Sequence, residues 1–70
     1  MPKSYSSRHI IKVLLKHGFY FVSQKGSHAK YRKDSNPVPT VIVPAERKEI
    51  PYGTFRSIVR QSGLKENDFA

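Results

Sequence analysis

Apolar residues follow two rhythms along this chain, and the change between them marks out its elements. Ile10, Ile11, Leu14 and Leu15 recur at helical spacing, while Lys12 and Lys16 lie off that stripe, which predicts an opening helix. Ser6 or Ser7 can cap it, because a hydroxyl oxygen accepts from an otherwise unpaired amide. Gly18, after Lys16 and His17, suits a left-handed stop with cations near the negative helix end. From Phe19 the period falls to two. Residues 19–23 are aromatic and β-branched and read as a strand, with Phe19 and Phe21 on one side and Tyr20 and Val22 on the other. Gln24-Lys25-Gly26-Ser27 supplies a turn in which Gly26 can take positive φ. A second strand runs from about His28 to Arg32. The turn formers Asp34-Ser35-Asn36-Pro37 break the chain, and residues 40–43 form a third strand closed by Pro44. Prolines 37, 39 and 44 favour an edge or short strand there.

Helical spacing then returns. Residues 45–50 are a charged connection, and Pro51 fits the first turn of a second helix, where its missing donor costs little. Phe55, Ile58 and Val59 form the apolar side of that helix. Gly63 ends it, and Leu64 can make the accompanying hydrophobic contact. Residues 65–70 read as a short tail of about one helical turn, with Phe69 packing back. No repeat, linker or low-complexity block interrupts the pattern, so residues 1–70 read as one domain. The predicted fold is α+β, in the order α-β-β-β-α. Its three-stranded antiparallel sheet carries both helices on one face and leaves the other open. Tyr31 then faces the helices, and His28, Lys30 and Arg32 stand on the open side.

Charge adds a partner class to this picture. Thirteen Lys and Arg oppose five Asp and Glu, for a formal net charge of +8. Such a field draws polyanions, more weakly as salt rises. The cations are spread over every segment, as in a folded basic domain rather than a basic tail. The sequence has no cysteine, which excludes a disulfide framework and thiolate-held zinc. No apolar run is long enough to cross a bilayer, and no charged-then-apolar leader opens the chain. A cytoplasmic protein without membrane attachment is the expectation.

The chemistry centres on Gly26-Ser27-His28, followed at alternate positions by Lys30 and Arg32. On a strand these three side chains share one face, with neighbours about 7 Å apart. Two cations can hold a phosphodiester while an imidazole, which titrates near neutral pH, moves a proton. RNA brings its own nucleophile, the 2′-hydroxyl, so acid–base catalysis and charge stabilisation suffice without a metal or cofactor. Gly26 admits a close approach, Ser27 adds a donor, and Lys25 extends the cationic set. His28 is therefore the catalytic candidate, and Lys25, Ser27, Lys30 and Arg32 are the RNA-binding candidates. Tyr20, Lys30 and Glu46 are candidates for a second proton-transfer group. His9 and His17 read as exposed polar residues, and the three histidines lack a metal-ligand spacing. No serine is marked as activated, and a lone Gly26 makes no nucleotide-hydrolase phosphate loop. On the residues alone, a non-catalytic RNA-binding module fits nearly as well. A basic domain that meets an acidic protein partner is a third reading.

Several stretches together resemble the HicA-type toxins, the RNA-cleaving halves of toxin–antitoxin pairs. They are Leu14-Leu15-Lys16-His17-Gly18-Phe19, then Gly26-Ser27-His28 with Tyr31-Arg32, then Thr40-Val41-Ile42-Val43-Pro44. The longest runs from Lys48-Glu49-Ile50-Pro51-Tyr52-Gly53-Thr54-Phe55 through Arg56 to Gly63-Leu64. The resemblance covers nearly the whole chain. It implies a double-stranded-RNA-binding-like fold and metal-independent endoribonuclease cleavage of mRNA, which inhibits translation. It places His28 at the catalytic histidine and implies a HicB-type antitoxin that covers the active face and assembles with the toxin; Gly53 and Thr54 match the opening of the family's second helix and read as structural rather than catalytic. Many relatives carry a second histidine shortly after the third strand; here Pro44-Ala45-Glu46-Arg47 stands instead, so that if the second imidazole assists catalysis this chain is slower or uses Glu46, and if it only binds the partner or RNA little changes.

Overall fold

The computed structural model describes residues 4–70. Helix α1 (Ser7–Lys16) leads into strands β1 (Phe19–Lys25), β2 (His28–Lys33) and β3 (Thr40–Pro44). Helix α2 (Tyr52–Ser62) follows, and a short 3₁₀ turn (Glu66–Phe69) closes the chain. The strands form one antiparallel sheet in the order β1-β2-β3. This is the α-β-β-β-α order that the hydrophobic pattern predicts, an α+β fold consistent with the double-stranded-RNA-binding-like one that the resemblance implies. Among the described residues, no helix is long and apolar enough to cross a membrane.

The ends of the elements follow from a few residues. Ser6 caps α1, its hydroxyl oxygen accepting from the His9 amide at 3.1 Å. Gly18 and Gly63 take positive φ after the two helices, where a side chain would be strained. Pro51 sits one residue before α2, as its N-cap with φ −55° and ψ 144°, rather than inside the first turn.

The core lies between the sheet and the two helices. Ile10 and Leu14 of α1, Phe55 and Ile58 of α2, and Tyr31, Val41 and Val43 of the sheet are buried together. Phe69 closes this layer from the chain's end, fully buried and edge-on to Phe55 at 5.4 Å. Burying such a ring contributes roughly 1.5–3 kcal/mol. His9 is drawn into this packing, contrary to its expected exposure. Its ring stacks on Tyr5 at 4.9 Å, and Nε2 donates to the Phe69 carbonyl at 2.6 Å.

The buried stripe of α1 is also rotated from the expected one. Val13 is buried and Leu15 is 52% exposed. Ser7, Ile10 and Leu14 lie along one helix face, and Ser7 is pulled inward by a hydrogen bond to the Pro44 carbonyl. Val13, rather than Leu15, joins the buried core.

Strand β1 departs most from the expected pattern. It continues through Gln24 and Lys25, so the turn to β2 shrinks to Gly26 and Ser27, with Gly26 at φ 59°. The register steps from Phe21↔Tyr31 to Ser23↔Lys30, which makes Val22 the extra residue of a β-bulge. Only Phe19 of this strand is buried. Phe21 shares the inner face with Tyr31, ring edge-on at 5.8 Å, but extends beyond the helices and is 53% exposed.

Candidate functional site

The outward face of the sheet is assembled from directly opposed residues, which project to the same side. Lys25, His28 and Pro44 form one row, Ser23, Lys30 and Ile42 the next, and Tyr20, Arg32 and Thr40 the third. The bulge decides the first two rows. With unbroken alternation from Phe19, Ser23 and Lys25 would share Phe19's inner face. The extra residue reverses that phase and sets Lys25 beside His28.

The two ends of this face differ. At the Arg32 end the polar groups are engaged with one another. Arg32 Nε donates to Thr40 Oγ1 at 3.2 Å, and the Tyr20 hydroxyl donates to Asp34 Oδ1 at 3.1 Å. That hydrogen bond, with smaller contributions from desolvation and the Asp34 charge, holds the Tyr20 phenol above its ordinary value of 10.0. Four residues of strand separate Arg32 from His28, about 13 Å. Tyr20 therefore lies too far from His28 to share a proton with it directly.

At the His28 end the face deepens into a groove of about 450 Å³. Ser27 and His28, the β3 residues Ile42 and Pro44, and Ala45 and Arg47 of the following loop line it. The far wall comes from α2, which lies beside the β3 margin. Thr54, Ser57 and Gln61 line the groove at positions i, i+3 and i+7, while Phe55, Ile58 and Ser62 at the same spacing are buried. Gln61 holds the helix to the strand, its Oε1 accepting from the Ile42 amide at 3.0 Å.

The loop that carries Arg47 is fixed from both sides. The Ala45 amide donates to the Ser27 carbonyl at 2.6 Å, tying the loop to the Gly26-Ser27 turn. Ser7 holds it from below. Its hydroxyl donates to the Pro44 carbonyl and accepts from the Arg47 amide at 2.9 Å, and its own amide donates to the Arg47 carbonyl at 2.9 Å. Between these ties Glu46 adopts φ 56°, an uncommon conformation for a non-glycine residue.

Of the residues singled out in the sequence, Ser27 and His28 line the groove, and His28 is exposed there. Lys25 stands beside His28 on the same face. Lys30 and Arg32 continue that face but lie outside the groove. Glu46 lines a neighbouring depression rather than the His28 groove. Sequence reasoning misses Arg47, Thr54, Ser57 and Gln61. The polar spacing of the last three is visible in the sequence, but it reads as an ordinary solvated helix face.

The arrangement combines an accessible imidazole, one cation opposite it on the sheet, a second in the groove lining and a neutral, hydrogen-bonding wall. It can seat a polyanion and transfer a proton within it. A family model described as "HicA toxin of bacterial toxin-antitoxin" matches residues 7–64, from the start of α1 to just past α2. No curated protein matches the chain.

Proposed function

We propose, because this chain belongs to the HicA toxin family of toxin–antitoxin pairs, that it is an endoribonuclease that cuts mRNA and so halts translation in the cytoplasm. A HicB-type antitoxin neutralises it by covering the groove. The observation that carries this reading is the placement of His28. It is an exposed imidazole at a groove with Lys25 opposite it on the sheet and Arg47 in the groove lining.

In the proposed reaction a ribose 2′-hydroxyl attacks the adjacent phosphorus. The 2′-oxygen–phosphorus bond forms as the bond to the 5′-oxygen of the next nucleotide breaks. The 2′-hydroxyl loses one proton and the departing oxygen gains one. The products are a 2′,3′-cyclic phosphate and a 5′-hydroxyl. His28 carries one of these two proton transfers, and positioned acid–base catalysis contributes about 10²–10⁴-fold. Lys25 and Arg47 stabilise the extra charge on the pentacoordinate phosphorus. Thr54, Ser57 and Gln61 offer uncharged donors and acceptors to the base or ribose.

The test is purified protein with a fluorescent single-stranded RNA in EDTA. Wild type is expected to cut about 10²–10⁴ times faster than His28→Ala, with both proteins melting at the same temperature. Equal rates for the two would remove the catalytic claim. RNA binding retained by both proteins, with no product from either, would favour a binding module.

A further inference from the structure

The described residues form a second depression beside the first, of about 650 Å³. It lies where α1 begins, between Arg8 and Ile11 of the helix and Glu46, Arg47 and Lys48 of the β3–α2 connection. Its size is within the range of about 300–1,000 Å³ that ligand sites span. Arg47 lines both depressions, so they meet at that residue.

Three cations surround this second groove, and Arg8 sits in the first turn of α1. A cation there is unfavourable beside the positive helix end. An anion between Arg8, Arg47 and Lys48 relieves that repulsion. Glu46 is the one carboxylate in the lining, so the net charge stays positive. Ile11 supplies apolar surface, and the aliphatic stems of Arg8 and Arg47 can add more. Apolar surface bounded by cations suits a nucleotide, with its base against the stems and its phosphate among the charges. On the opposite side of His28, Lys30 and Arg32 lie along a strand face and line neither depression.

We infer that the groove between α1 and the β3–α2 connection seats a nucleotide flanking the scissile phosphodiester, so that RNA runs from His28 past Arg47 toward Arg8 and Lys48. This rests on the ribonuclease reading above and extends it to a substrate subsite. Ser7 acquires a purpose in this scheme. Its bonds to Pro44 and Arg47 set the spacing between the two grooves, and hence between the reacting phosphate and its neighbour.

The experiment compares wild type with an Arg8→Gln/Lys48→Gln double variant. Substrates are a dinucleoside phosphate and tetranucleotides extended on the 5′ or the 3′ side. For wild type, extension on one side is expected to raise kcat/KM by roughly tenfold or more, the scale of one charge-assisted contact. The double variant should lose that gain and cut the dinucleoside phosphate at the wild-type rate. A Lys16→Gln/Lys33→Gln variant removes the same charge at the far ends of α1 and β2, outside both grooves, and should keep most of the gain.

Binding of a 2′-fluoro RNA, which has no 2′-hydroxyl to react, reads the groove independently of cleavage. Its salt dependence should weaken by about 0.7 in log–log slope for each phosphate that the variant no longer neutralises. A double variant that binds and cuts extended RNA like wild type overturns the inference. So does an equal loss in the Lys16→Gln/Lys33→Gln protein, which would reduce the effect to net charge. If wild type cuts no RNA but only the double variant loses 2′-fluoro RNA binding, the ribonuclease reading falls and the groove assignment stands.

Discussion

Strand β2 divides its labour by parity. Ala29 and Tyr31 are 2% and 6% exposed and belong to the core, whereas His28, one residue away, is exposed at the groove. The inner residues are fixed by close packing and tolerate little change in volume. The outer residues are held by pairing across the sheet and by a few side-chain hydrogen bonds, so their identity is free to serve binding and chemistry. A small domain with a thin core keeps these roles apart because each strand has two faces. Changes to the two faces should therefore affect different measurements.

The sharpest contrast comes from the core. Phe69→Ala removes a fully buried ring and should cost about 3–5 kcal/mol, a large share of the stability of so small a domain. Chemical denaturation measures this. A loss below about 1 kcal/mol, the scale of an average substitution, would mean that the closing turn is not part of the cooperative core. Ser7→Ala comes next, because Ser7 is buried and yet serves the groove. Leaving the Pro44 carbonyl and Arg47 amide without their partner should cost about 1–3 kcal/mol and lower RNA cleavage as well. A stable Ser7→Ala protein with full activity would break the link between them.

Lys25→Gln tests the outer face alone. Stability should stay within about 0.5 kcal/mol, while the log–log salt slope of binding to single-stranded RNA falls by about 0.7. An unchanged slope would place Lys25 away from the RNA. The smallest effect belongs to Tyr31. Burial raises its phenol above the ordinary value of 10.0, since the interior disfavours phenolate. The stability that comes from keeping the neutral form inside is complete below the ordinary phenol value and is lost as pH rises through the raised one. Tyr31→Phe should therefore flatten the alkaline fall of the melting temperature. An identical alkaline limb in both proteins would assign that fall to other groups.

These differences also explain what can be read in the sequence. Gly18 and Gly63 announce both helix ends because only a residue without a side chain enters the left-handed region freely. The alternation from His28 to Arg32 correctly separates Tyr31 from His28, since period two depends on backbone geometry alone. The bulge at Val22 leaves no trace, because valine is an ordinary strand residue and the extra position is fixed by pairing with β2. Its effect on Lys25 is hidden for the same reason. The sequence shows the charge of Lys25, while the pairing sets its face. The wall formed by Thr54, Ser57 and Gln61 is equally hidden. It depends on where α2 rests against β3, and that position is held by a hydrogen bond between residues 42 and 61, far apart in the chain.

That hydrogen bond has a consequence for assembly. Any chain that joins this sheet by strand addition needs free amides along a margin. On β3 the outward positions alternate through Thr40, Ile42 and Pro44. Ile42 already donates to Gln61, and proline has no amide to offer. A newcomer is left with Thr40 alone on that flank, too little to zip against. The opposite flank, along β1, is the one available for enlarging the sheet.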